Sequence, residues 1–97
     1  MRVISQKPLR EFWELHPDAR PGLEAWYEDA LRADWKSPAD IKRRYATASI
    51  VANNRVVFNI KGNSYRLVVK VHYNRGYVYV RFVGTHVEYD LIDAAAI

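Results

Sequence analysis

The sequence predicts an α+β domain, with N-terminal helices packed on one face of an antiparallel sheet and a short helix at the C-terminus. Three observations predict it. Apolar residues recur at helical spacing in the first half, most clearly Leu23, Trp26, Tyr27, Ala30 and Leu31. From Arg55 to Gly84 the pattern changes to alternation, in segments rich in Val and Tyr. Turns containing Asn and Gly divide those segments. The 97 residues make one domain, spanning 1–97, without repeat, linker or low-complexity tract.

Met1–Ser5 is short and β-branched, a candidate first strand. Pro8 suits an early helical turn, Ser5 is a candidate cap, and Leu9, Phe12, Trp13 and His16 follow at helical spacing. His16-Pro17 breaks that helix. Asp18 and Pro21 mark the start of the second, with the Leu23–Leu31 stripe inward and Glu24, Glu28, Asp29 and Arg32 outward. Trp13 and Trp26 lie on apolar stripes and belong to the core, and Trp35 covers a core edge. Ser37-Pro38-Ala39-Asp40 has the form of a capping box and opens a third helix, from Pro38 to about Tyr45. Asn53-Asn54 turns the chain into a strand at Arg55–Ile60. Lys61-Gly62-Asn63-Ser64 and Asn74-Arg75-Gly76 turn it into two more, Tyr65–Tyr73 and Tyr77–Gly84, completing an antiparallel meander. Thr85-His86-Val87-Glu88 is a second capping box, and a short helix begins there.

Composition excludes several classes. There is no cysteine, hence no disulfide scaffold, thiol nucleophile or Cys-ligated zinc. The three histidines are dispersed and lack metal-ligand spacing, so no metal is expected. No phosphate-binding Gly loop, dinucleotide fingerprint or Gly-x-Ser-x-Gly elbow occurs, and no cofactor is expected. Apolar runs are too short to span a membrane, and Arg2, Lys7, Arg10, Glu11 and Glu14 interrupt any signal-peptide core. The expectation is a soluble, cytoplasmic protein.

The net charge of +4 is unevenly distributed. Residues 1–40 carry six basic and eight acidic side chains. Between Asp40 and Glu88 lie nine basic residues and no acid: Lys42, Arg43, Arg44, Arg55, Lys61, Arg66, Lys70, Arg75 and Arg81. Such a segment suits a polyanion partner, above all nucleic acid. Strict alternation turns Val56, Phe58, Ile60, Tyr65, Leu67, Val69, Val71, Tyr73, Val78, Val80 and Phe82 toward the helices. It leaves Asn59, Lys61, Arg66, Lys70, His72, Tyr79 and Arg81 on the helix-free face, with Lys42, Arg43 and Arg44 on the adjoining third helix. Guanidinium forks grip phosphate, and tyrosines stack on unpaired bases. A solvated sheet face is ordinarily polar too, but it usually pairs opposite charges across strands.

A last cluster lies at the C-terminal end. With Thr85 as N-cap, His86 occupies the first helical position, beside free N–H groups suited to phosphate. Tyr89 and Asp90 follow one turn later. Histidine titrates near neutrality and serves as general acid or base, and Asp90 is placed to orient it.

Three segments together resemble one family. They are Val57-Phe58-Asn59-Ile60-Lys61-Gly62-Asn63, Tyr65-Arg66-Leu67-Val68-Val69, and Tyr79-Val80-Arg81-Phe82-Val83-Gly84-Thr85-His86-Val87-Glu88-Tyr89-Asp90. In this order they resemble HigB toxins of type II toxin–antitoxin modules, within the RelE-like superfamily, and the likeness extends over nearly the whole chain. The resemblance implies a RelE-like, microbial-RNase-type fold. It implies an mRNA interferase that cleaves mRNA in the ribosomal A site, by attack of the substrate's 2′-hydroxyl on the adjacent phosphate without a metal. It also implies a cognate antitoxin, HigA-type, with a helix-turn-helix. By position, Lys61, Arg66, Arg81, His86 and Tyr89 are the catalytic candidates. Lys42, Arg43, Arg44, Asn59, Lys70 and Tyr79 are the RNA-binding ones. Two other functions use the same basic face: a non-catalytic RNA- or ribosome-binding module, and a protein-interaction domain for an acidic partner.

Overall fold

The computed structural model describes residues 1–97. Its elements are β1 (Arg2–Ile4), α1 (Lys7–Leu15), a 3-10 turn (Pro17–Ala19), α2 (Arg20–Arg32), α3 (Pro38–Arg44), β2 (Ser49–Val51), β3 (Arg55–Ile60), β4 (Tyr65–His72), β5 (Tyr77–Thr85) and α4 (His86–Tyr89). The α+β class stands. The meander β3-β4-β5 is antiparallel as expected. Two short edge strands widen it to five, in the order β1-β5-β4-β3-β2. β1 pairs with β5 in parallel, so the sheet is mixed, and β2 pairs antiparallel with β3.

The turns follow the local signals. Asn53 and Asn54 both sit at φ 62°, the left-handed region that Asn tolerates better than most residues. Gly62 (62°) and Gly76 (72°) take the same region in the two later turns. The helix starts are less regular. α1 opens at Lys7 with Pro8 in its first turn, but Gln6 is the cap residue and Ser5 caps nothing. At α3 the Ser37 side chain makes no capping bond. The Asp40 amide instead bonds the Ser37 carbonyl (3.1 Å), and the Asp40 carboxylate accepts from the Lys36 amide (2.8 Å). The capping box at α4 is complete. Thr85 Oγ1 accepts from Glu88 N (3.1 Å), and Glu88 Oε1 accepts from Thr85 N (2.8 Å).

The main core lies between the helices and the inner side of the sheet. Leu9, Phe12 and Trp13 of α1, Leu23, Trp26 and Ala30 of α2, and Ile41 of α3 meet Val56, Phe58, Ile60, Leu67, Val69, Val71 and Val78. Phe58 is its centre, with Trp26, Trp35 and Tyr45 rings at 5.5, 6.1 and 5.1 Å. Leu31, expected inward, is exposed.

Two features of the other side depart from strict alternation. A β-bulge lies between β4 and β5: Val69 pairs with Val80 and Val68 with Phe82, leaving Arg81 as the extra residue. Parity therefore switches after Val80. Phe82 turns away from the helices, and Val83 packs against the main core. The second feature is the chain end. Residues 90–97 cross the helix-free side and make a second small core, in which Val57, Val68 and Ala94 are buried with Val51, Phe82, Tyr89, Ile92 and Ile97 around them. Arg55, only 9% exposed, holds this cover down. Its Nε donates to the Ile97 main-chain oxygen (2.9 Å) and its Nη1 to that of Asn53 (2.9 Å).

Candidate active site

The register sorts the outer side of the sheet into rows. Asn59, Arg66 and Gly84 form one row across β3, β4 and β5. Val57, Val68 and Phe82 form the next, and Arg55, Lys70 and Tyr79 the third. His72 and Tyr77 lie beyond. The covered apolar row thus divides the expected basic face into two polar areas.

The first area contains Arg66. Its Nη1 donates to the Asn63 carbonyl (2.9 Å) and, at 3.3 Å, to that of Tyr65. Its Cζ lies 6.0 Å from the Tyr89 ring centroid, a cation–π distance. No acidic side chain pairs with it, so most of the guanidinium remains available. α4 is held beside this strand by the His86 amide, which donates to the Ser64 carbonyl (3.3 Å). With the Glu88 amide bound to Thr85, little of the helix start is left for an anion, contrary to the sequence expectation. The His86 and Asp90 side chains are exposed and form no bond with each other. Tyr89 is half-buried.

Gly84 explains how the strand passes so close to α4. A Cβ there would sit 2.5 Å from Phe82 Cζ and 3.1 Å from Glu88 Oε1. The Phe82 ring and the capping carboxylate fill the space that a side chain would need.

Lys61 stands apart from the outer face. It occupies the β3–β4 turn at φ 52°, and its Nζ donates to Asp18 Oδ2 (2.7 Å). Tyr65 Oη donates to Asp18 Oδ1 (2.5 Å). The Lys61 and Tyr65 bonds together hold the Asp18 carboxyl below its ordinary pKa, and Asp18 in turn raises that of Tyr65. Arg81 is exposed at the bulge and pairs with no acid. Asn59 is opposite Arg66, with Nδ2 3.5 Å from the Thr47 carbonyl.

The third helix does not extend the basic face. Ile41 anchors α3 in the helix layer, on the opposite side of the sheet. Lys42 Nζ donates to the Ala46 and Ala48 carbonyls (2.7 and 2.8 Å). Arg43 pairs with Asp40, and Arg44 pairs with Asp29. Tyr45 also donates to Asp29 (2.7 Å), and burial followed by that carboxylate raises its pKa well above the ordinary value. Of the nine cations in the acid-free segment, Arg43, Arg44 and Lys61 have a bonded acid, Lys42, Arg55 and Arg66 donate to main-chain carbonyls, and Lys70, Arg75 and Arg81 have neither. Lys70 and Tyr79, opposite each other on β4 and β5, belong to the second area.

No three His, Cys, Asp or Glu side chains come together at metal-ligand spacing. No helix is long and apolar enough to cross a membrane.

Residues 19–92 match the HigB toxin family, described as the RelE-like toxic component of a toxin–antitoxin system. The chain is 30% identical, over 97% of its length and 92% of theirs, to the mRNA interferase toxin HigB of Escherichia coli K12 and the mRNA interferase HigB of Shigella flexneri. The match takes in Arg66, the bulge, Gly84 and the α4 capping box. The chain belongs to the HigB family of RelE-like toxins.

Proposed function

We propose that this chain is an mRNA-cleaving toxin of a toxin–antitoxin pair, with the groups around Arg66 as its catalytic centre. The observation that carries the assignment is Arg66 itself. It is a half-exposed guanidinium with no bonded acid, at cation–π distance from Tyr89 of the helix that His86 begins. Cleavage follows the 2′-hydroxyl route. The 2′-oxygen attacks the adjacent phosphorus, the bond from phosphorus to the 5′-oxygen breaks, and a 2′,3′-cyclic phosphate and a 5′-hydroxyl result. Charge accumulates on the phosphoryl oxygens in the transition state. The open N–H groups of Arg66 are placed to stabilise it, with Arg81 assisting from the bulge. His86 and Tyr89 exchange the two protons, one removing that of the 2′-hydroxyl and the other supplying the 5′-oxygen. Lys61, shared with Asp18, contacts a flanking phosphate, and Asn59 lines the same row.

No step requires a metal. The substrate is mRNA in the ribosomal A site. The antitoxin is of the HigA type, with a helix-turn-helix, encoded beside the toxin. The test is inducible expression followed by mapping of mRNA 5′ ends. New ends, accompanied by growth arrest, are expected. A non-catalytic RNA- or ribosome-binding module would give a salt-sensitive footprint and no new ends.

A further inference from the structure

Beyond the covered apolar row lies the second polar area. Its composition differs from that around Arg66. Lys70 is opposite Tyr79 and His72 opposite Tyr77 on adjacent strands, and β1 continues the rows, with Arg2 opposite Tyr77. The His72 and Tyr79 rings meet edge to face at 5.2 Å, and Tyr77 and Tyr79 at 6.2 Å. Arg2 lies 5.9 Å from the Tyr77 centroid. Arg75 is exposed in the turn that follows His72. Neither Arg2, Lys70 nor Arg75 forms an ion pair. All three rings are partly open to solvent.

A solvated sheet face ordinarily balances its charges across strands. Here three cations surround three rings and no acid answers them. The ligand that matches both features is a polyanion with flat bases. Acidic protein segments offer the charge but not the stacking surfaces.

We propose that Lys70, His72, Tyr77 and Tyr79, rimmed by Arg2 and Arg75, form a second RNA-contact surface, a stacking platform for unpaired bases remote from the scissile phosphate. The inference rests on the RNA-cleaving reading above and adds a site to it. Lys70 lies four positions along β4 from Arg66, roughly 13 Å at about 3.3 Å per residue. The bases held are therefore outside the reacting dinucleotide. Stacking is tolerant of sequence, because every base has a π-face, so the platform supplies grip rather than base choice.

The experiment measures binding of a twelve-nucleotide 2′-O-methyl oligouridylate, which lacks the attacking hydroxyl, by fluorescence anisotropy. Wild type is compared with Tyr79→Ala, Tyr79→Phe, Lys70→Ala and Arg66→Ala, each checked for thermal unfolding. Tyr79→Ala is expected to weaken binding about tenfold or more, the loss of one stacked base. Tyr79→Phe retains the stack and binds within about threefold of wild type. Lys70→Ala lowers the slope of log affinity against log salt by about 0.7. Wild-type affinity in Tyr79→Ala and Lys70→Ala, with weakened binding in Arg66→Ala, overturns the platform and leaves the enzyme reading standing. Loss of binding to a co-expressed antitoxin, with RNA affinity unchanged, makes the surface a protein interface and equally overturns it. If wild type neither binds the oligonucleotide nor yields new mRNA ends, both readings fall together. Should Tyr79→Ala not fold, a 5-iodouridine crosslink from the same oligonucleotide to Tyr77 or Tyr79 of wild type replaces it, and crosslinks only near Arg66 overturn the proposal.

Discussion

The Arg66 guanidinium lies 6.0 Å from the centre of the Tyr89 ring, joining β4 to the one helix on the outer side of the sheet. The two residues are 23 positions apart, and the capping box that starts α4 sets their approach. Arg66→Ala is expected to lower cleavage by about 10²–10³-fold, the usual effect of removing one preorganised donor to a developing oxyanion. Arg66→Lys recovers little of this, because an ammonium cannot reproduce the planar fork. Single-turnover cleavage of an mRNA on purified ribosomes measures both.

Proton transfer separates from charge stabilisation. His86→Ala and Tyr89→Phe each lower the cleavage rate by about 10²–10⁴-fold. His86→Ala also flattens one limb of the pH–rate profile, which a merely structural role would not do. The profile of each variant at constant ionic strength checks this.

Asp18 links stability to pH at both ends of the scale. Its folded pKa lies below 3.8 because Lys61 and Tyr65 donate to it. Its stabilising contribution is therefore complete above the unfolded value and is lost as pH falls through the folded one. The Tyr65 pKa is raised above 10.0, so that contribution holds below the unfolded value and is lost as pH rises through the folded one. Asp18→Asn should be less stable than wild type at neutral pH, with the difference shrinking in strong acid and in strong alkali. Denaturant titrations across pH test it. A difference independent of pH would contradict the bonding described.

Gly84 is required by space rather than by backbone angle. Gly84→Ala forces a Cβ against Phe82 and costs about 1–3 kcal/mol by overpacking. In a Phe82→Leu background the same substitution should cost less, because the ring tip in its way is gone. A double-mutant cycle by denaturant unfolding measures the coupling.

Much of the fold was legible because its signals are local. The Thr85–Glu88 box spans four residues, and the turns at Asn53-Asn54, Gly62 and Gly76 follow from left-handed backbone at those positions. The bulge was not legible. Val80-Arg81-Phe82-Val83 offers apolar residues on either parity, so a one-residue switch leaves no mark in the pattern. β2 is three residues long, too short to show alternation. Arg66 was legible from strand alternation, and His86 and Tyr89 from the Thr85–Asp90 cluster, before the resemblance named all three. Arg66 and Tyr89 lie at cation–π distance, and His86 begins the same helix as Tyr89. The acid-free segment misled because charge pairing acts between distant parts of the chain. Lys61 finds Asp18 and Arg44 finds Asp29, both from the acidic N-terminal forty residues. Nor did the pattern show that residues 90–97 fold back over the sheet, since Arg55, which holds them, reads as one more surface cation.

The most direct measurement is the chemistry of the ends. Wild type and Arg66→Ala are induced in parallel, and mRNA 5′ ends are mapped by a ligation that distinguishes 5′-hydroxyl from 5′-phosphate. Wild type is expected to create new 5′-hydroxyl ends within open reading frames, and a folded Arg66→Ala to create almost none. Undiminished cleavage by Arg66→Ala, or new ends carrying 5′-phosphate, would contradict the assignment of this centre.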